Sequence, residues 1–174
     1  MYSKYLRIVA AVIFFGGLLQ QNNTQAQANV YKIHSLFMYN FTKHIQWSED
    51  VGDTFTIGVY GSNTALAEVR SNFSGKKFSG KDFRVINIAG LGDVKTSDMV
   101  YFPKSNKNRI LNLFEEVDKS NTLFVSEEDL IEYGIPISFV IRNNKLAFKV
   151  SRKNLESVGL KISSSLLSLA EVVD

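Results

Sequence analysis

Cysteine is absent from this chain, and proline occurs only at Pro103 and Pro136. The first absence excludes disulfides, thiol catalysis, thiol-based redox sensing and cysteine-ligated zinc. It also excludes a membrane anchor whose lipid is carried on a cysteine. Internal repeats, low-complexity tracts and linkers rich in Pro or Gly are missing as well, so one compact unit is expected. An excess of one charge is missing too, once the N-terminus is set apart. Residues 1–28 carry two bases, Lys4 and Arg7, and no acid. Without them, 18 of the 20 Lys+Arg remain against 17 Asp+Glu, a net of +1. That balance argues against a nucleic-acid partner, which calls for a concentrated basic face.

What the N-terminus does have is the grammar of an export signal. Lys4 and Arg7 precede the apolar run Ile8 to Leu19, a polar spacer follows, and Ala26-Gln27-Ala28 supplies the small residues of a cleavage site. The run is too short to span a bilayer, which takes about 20 apolar residues. The expectation is a signal peptide over 1–28, cleaved after Ala28, and a single domain over 29–174 released beyond the inner membrane.

Hydrophobic residues make up 45% of the chain, enough for a sizeable core. Val30 to Trp47 carries Ile33, Leu36, Phe37, Phe41, Ile45 and Trp47 near a 3.6-residue period, which predicts a helix. Phe55 to Tyr60, Phe83 to Ile88, Met99 to Phe102 and Leu123 to Val125 read as short buried strands. Helices are expected after Gly61-Ser62-Asn63, through Leu66, Val69 and Phe73, and between Ser105 and Val117. Ser126-Glu127-Glu128-Asp129 fits a capping box opening a short helix. Ile137 to Ile141 and Leu146 to Val150 flank a polar turn, a hairpin. Alternating strands and helices imply an α/β three-layer sandwich of the Rossmann-like kind. Its sheet is mainly parallel with helices on both faces, and the antiparallel hairpin lies near one edge.

Candidate chemistry is sparse. His34 and His44 sit ten residues apart on the first helix, about 1000° of rotation, so they diverge and read as separate packed or polar-face side chains. No HxxxH or HExxH spacing exists. Gly58-Val59-Tyr60-Gly61-Ser62-Asn63 stands where a strand passes into a helix. The turn Gly61, Ser62, Asn63 is a candidate anion-binding site through backbone N–H groups and the helix dipole. It is also readable as a tight turn with Ser62 or Asn63 as the N-cap. The spacing completes neither GxGxxG nor a P-loop. Lys76, Lys77 and Lys81 read as a solvated turn between elements, or as contacts for an acidic partner. The acids Glu115-Glu116 and Glu127-Glu128-Asp129 show no partner that would hold one carboxyl protonated for acid–base work, and no GxSxG elbow is present. A non-enzyme without cofactor or metal is expected.

The C-terminal stretch GLKISSSLLSLAEVV holds three consecutive serines, which either serve chemistry or start a helix. Ile162, Leu166, Leu169, Ala170 and Val173 fall on one helical stripe, with Ser164, Ser168 and Glu171 opposite. Ser163 is placed to cap this helix, and Gly159 to end a short one around Asn154 to Val158.

Three stretches resemble the YfiR-like family of periplasmic regulatory proteins. Tyr39-Asn40-Phe41-Thr42-Lys43-His44-Ile45-Gln46-Trp47 is similar to its YNFxKxxxW opening. Phe139-Val140 followed by Leu146-Ala147-Phe148-Lys149-Val150 resembles its paired strands, and Gly159 to Ala170 its LKISSxLLxLA ending. The resemblance implies an exported Rossmann-like domain without catalysis, often dimeric. By analogy with the family's founding member it also implies binding to the periplasmic part of an inner-membrane diguanylate cyclase, held inactive, so that cyclic di-GMP and biofilm formation would respond. A sensor histidine kinase is an alternative membrane partner, and an outer-membrane lipoprotein can sequester the regulator. Asn40, Lys43, Trp47 and Lys161, the polar or bulky members of these motifs, are the candidate partner-binding residues. A periplasmic small-molecule or anion-binding protein is the alternative reading.

Overall fold

In the computed structural model, residues 25–48 and 51–173 are described. Most of the expected leader, residues 1–24, lies outside them. The helix α1 spans 25–44 and passes directly into β1 (Ile45–Trp47). A parallel core then forms by alternation: β2 (Thr54–Tyr60), α2 (Asn63–Phe73), β4 (Lys81–Ile88), α3 (Leu91–Lys95), β5 (Met99–Phe102), α4 (Lys107–Glu116) and β6 (Leu123–Ser126). A 3₁₀ turn (Ile131–Tyr133) leads to β7 (Ile137–Arg142), and β3 (Lys77–Phe78) precedes β4. The chain closes with β8 (Lys145–Ser151), α5 (Arg152–Ser157), β9 (Leu160–Ile162), α6 (Ser164–Leu167) and β10 (Glu171–Val173).

The main sheet has eight strands in the order β10-β8-β7-β6-β5-β2-β4-β3. Strands β2, β4, β5, β6 and β7 are mutually parallel, and the β7–β8 hairpin is antiparallel. The chain leaves β2 toward β4 on one side, then returns across it to β5, β6 and β7 on the other. Right-handed crossovers therefore place α2 on one face and α3 and α4 on the opposite face. The strands alternate to serve both layers. Met99, Tyr101, Leu123 and Val125 join the core beneath α1 and α2, while Val100, Phe102 and Phe124 join the one beneath α3 and α4. The expected three-layer α/β sandwich is the fold observed.

Three local expectations are corrected. The first helix stops at residue 44 rather than at Trp47. Ile45 and Trp47 are buried while Gln46 is exposed, a period of two, because this tripeptide pairs antiparallel with β9. The Ser163 N–H caps the helix end by donating to the His44 carbonyl at 2.9 Å. The capping box at Ser126 does not form. Ser126 is still in β6, its Oγ lies 2.8 Å from Ser138 Oγ and donates to the Glu128 carbonyl at 2.6 Å, and the 3₁₀ turn starts only after Leu130.

The closing helix is one turn long, and β10 replaces its second half. Ser163 does cap it, accepting from the Leu166 N–H at 3.3 Å, but Leu169 is 73% exposed. Residues 171–173 instead pair in parallel with Lys149–Ser151. The Glu171 carboxylate is gripped by Arg142 at 2.9 Å, with Lys149 3.6 Å away. A strand docked on an existing edge gains a ladder that an isolated helical turn cannot match. No single helical face of Ser164, Ser168 and Glu171 therefore exists. Two tight turns add to this picture. Ser79-Gly80 joins β3 to β4 and Asn143-Asn144 joins β7 to β8, all four residues at positive φ. That is the backbone of two-residue hairpins, so the turn between elements expected around Lys76, Lys77 and Lys81 takes the form of a hairpin, with Lys77 in β3 and Lys81 in β4.

Candidate functional site

Helix α1 is built to cover one sheet face. Tyr31, His34, Ser35, Met38, Phe41 and Thr42 are buried, at the spacing that keeps one side inward. Its aromatic side lies over β7 and β8. Phe41 and Phe37 meet Phe148 with centroids 5.1 and 5.7 Å apart, and His34 stacks flat on Phe139 at 4.0 Å. His34 Nδ1 sits 2.7 Å from the Tyr101 hydroxyl. Burial pushes this imidazole down to a pKa of about 4 and pushes the Tyr101 hydroxyl well up. His34 is therefore a neutral, packed side chain at neutral pH. His44, on the outer end of the helix, is exposed. Among the described residues, no group of three His, Cys, Asp or Glu side chains is placed to hold a metal ion.

The motif residues meet at the far end of α1. The β1–β9 register sets Trp47 opposite Leu160, Gln46 opposite Lys161 and Ile45 opposite Ile162. Stretches more than a hundred residues apart in sequence thus form one corner. A shallow recess of about 230 Å³ there is lined by Lys43, His44, Gln46, Lys161, Ile162 and Ser163. Asn40, Lys43 and Lys161 are exposed. Trp47 points the other way, into the core. It packs edge-on to Phe55 at 5.0 Å and Phe78 at 5.6 Å, and its indole N–H donates to the Asp98 carbonyl at 3.2 Å. Ser163 Oγ lies 3.3 Å from His44 Nδ1. That hydroxyl already serves as the α6 cap, and no described carboxylate orients the imidazole as a catalytic triad requires.

A second feature was not legible in the sequence. Between the N-terminal half of α1 and the ends of β6, β7 and β8 lies an open cavity of about 670 Å³. Its apolar walls include Val30, Ile33, Phe139, Ile141 and Leu146, and its mouth carries Lys104, Glu127, Glu128 and Asp129. Ile33 is 44% and Ile141 63% exposed. Burial raises the Glu127 carboxyl, opposed by the Lys104 backbone N–H that donates to it at 2.6 Å. The 3.6-residue pattern puts Ile33 and Leu36 on the apolar stripe of α1, but both are left exposed, because Tyr31, His34, Ser35, Met38 and Phe41 fill its inward side; Ile33 then lines this cavity.

The turn Gly61, Ser62, Asn63 lies elsewhere, at the point where the order of parallel strands reverses between β2 and β5. Gly61 has φ +76°, and Ser62 is the N-cap, its Oγ accepting from the Ala65 N–H at 3.2 Å. With Asn87, Ser105 and Arg109 the turn forms a polar recess of about 280 Å³. Ligands in doubly wound sheets bind at such reversals.

A family model described as DUF4154, YfiR/HmsC-like, matches residues 31–171, all but the ends of the described domain. The chain belongs to the YfiR/HmsC-like family. Both the α1–β1 corner and the β9 strand that completes it fall within the matched residues. Among solved structures, the chain is similar to a "conserved domain protein" from Vibrio cholerae O1 biovar El Tor str. N16961. The TM-score is 0.56 at 11% sequence identity over 83% of this chain. At that identity the likeness concerns the fold alone, and this chain spans 60% of the length of that one. No curated protein matches. No helix among the described residues is long and apolar enough to cross a membrane.

Proposed function

We propose that this chain is a non-enzymatic periplasmic regulator that works by contact with a membrane signalling protein, restraining a diguanylate cyclase or a sensor histidine kinase. Membership of the YfiR/HmsC-like family over residues 31–171 carries the reading. The surface is compatible with it, since Val30, Ile33, Leu36 and Ile141 expose apolar area along α1 and the hairpin, and clustered exposed apolar residues mark contact sites. The physical logic is a population shift: a domain that binds one state of a receptor more tightly biases the receptor toward it. Cleavage after Ala28 would release residues 29–174 into the periplasm, where an outer-membrane lipoprotein could compete for the same regulator and a homodimer could form.

Deleting the chain tests the reading. Cyclic di-GMP and surface attachment should rise if it restrains a cyclase, and kinase output should rise if it restrains a kinase. An unchanged output from every membrane sensor would refute it. A second reading, small-molecule or anion binding at Gly61, Ser62 and Asn63, is favoured by the polar recess that these residues share with Arg109. Thermal shift with phosphate and nucleoside monophosphates separates the two, because a ligand that binds only the folded state raises Tm.

A further inference from the structure

We infer that the corner formed by α1, β1 and β9 is the docking point for an acidic segment of the membrane partner, with Lys43, Lys76 and Lys161 as its electrostatic contacts. This rests on the proposed regulatory reading and adds the chemistry of the partner surface. Helix α1 supplies the first element. From 25 to 44 it contains Lys32, Lys43 and two histidines but no Asp or Glu. At its C-terminal end, Lys43 Nζ stands 4.2 Å from the centre of the Tyr39 ring and Lys76 Nζ stands 5.0 Å from the same ring. Two ammonium groups thus share one aromatic, which tolerates them through its negative faces without neutralising either. Lys76 otherwise donates to the Asn72 carbonyl. Lys161 is brought alongside by its pairing with Gln46 and shares the recess with Lys43.

Among the described residues, none of these three lysines lies within ion-pair distance of a carboxylate. Elsewhere on the surface Lys77 is paired with Asp82, Lys149 with Asp129 and Arg142 with Glu171. On a domain of nearly balanced charge, a cluster of unpaired cations creates a local positive potential that steers and orients an acidic partner. The recess between Lys43 and Lys161 offers hydrogen-bonding groups, the Gln46 amide, the His44 imidazole and the Ser163 hydroxyl, at the scale of carboxylate side chains, and Lys76 flanks it across the Tyr39 ring. A lipid surface fits less well, because recognition of anionic headgroups typically takes clusters of about four to eight bases.

The test uses the mature chain against purified periplasmic domains of the inner-membrane sensors of its own cell, followed by biolayer interferometry. For the sensor that binds, K43E/K161E is expected to weaken affinity at least tenfold and to flatten the dependence of affinity on salt. The control K107E/K119E removes two lysines that stack on Tyr133 and Phe114 on the opposite layer, and should bind within twofold of wild type. Circular dichroism and Tm establish that each variant is folded. If wild type binds a sensor and K43E/K161E binds it equally well, the docking point is elsewhere and this inference fails while the regulatory reading stands. If no sensor binds wild type, both fail. If the lysines are instead required for binding vesicles of phosphatidylglycerol and phosphatidylethanolamine, and not the sensor, the corner is a membrane contact and the inference is overturned.

Discussion

Acidification from pH 7 to pH 4 is expected to remove about 3 kcal/mol of folding stability through His34. The imidazole is 1% exposed, stacked on Phe139 and hydrogen-bonded to Tyr101. Burial lowers its pKa from 6.5 to about 4, and each pH unit of that gap is worth about 1.4 kcal/mol. Because the folded pKa lies below the unfolded one, the unfolded chain takes up the proton first as pH falls. Stability is unaffected above about pH 6.5, declines from there to about pH 4, and levels off below. Asp98 and Glu127 work against this. Burial raises both carboxyls, so their contribution favours the folded state as pH falls. A wild-type profile alone would mix the two effects. The informative quantity is the difference between wild type and H34F/Y101F, which keeps the stacked ring and removes both hydrogen-bonding partners together. Urea denaturation at half-unit steps from pH 7.5 to 4, followed by far-UV circular dichroism, supplies it. The stability difference should shift by about 3 kcal/mol across the window, at no more than about 1.4 kcal/mol per pH unit. Parallel profiles for the two proteins would refute the assignment of the effect to His34.

Other substitutions test the packing. W47A removes the contacts with Phe55 and Phe78 and the bond to the Asp98 carbonyl, and should cost about 3–5 kcal/mol in urea denaturation read by circular dichroism. G58A places a methyl group 2.3 Å from Ile88 Cδ1 and 2.9 Å from Ser97 Oγ. The resulting overpacking should cost about 1–3 kcal/mol, seen as a lower urea midpoint with the slope unchanged. S62A removes the cap on Ala65 and should cost about 0.5–2 kcal/mol, whereas phosphate binding at this turn, if it occurs, would show as a Tm increase in wild type that S62A diminishes.

The legible parts of the site were the motifs, and the illegible part was their meeting. Lys43 and Lys161 belong to motifs more than a hundred residues apart, and only the antiparallel pairing of β1 with β9 shows that they share one recess. As a bulky member of its motif Trp47 suggests a contact residue, yet its ring belongs to the core next to Phe55. The periodicity of Val30 to Trp47 could not separate helix from strand at its end. Ile45 and Trp47 suit an amphipathic helix of period 3.6 almost as well as an alternating strand, and the tie is broken by a partner strand far along the chain.

The sequence by itself determined what is local: the alternation of strands and helices, a helix start at Ser62 or Asn63, the Ser163 cap, the Gly159 helix stop, the polar hairpin turn around Asn143-Asn144 and the absence of thiol chemistry. Each follows from residues that are neighbours in the chain, where backbone preference and side-chain period decide. The tertiary structure alone decided the shortening of the last helix to one turn, the recruitment of Glu171–Val173 to the sheet edge, the cavity beside α1, and the lysine corner. These depend on free energies shared between distant segments. Ladder hydrogen bonds to β8 and the Glu171 bridge to Arg142 outweigh the helical preference of a short serine-led stretch, and no local pattern records that competition.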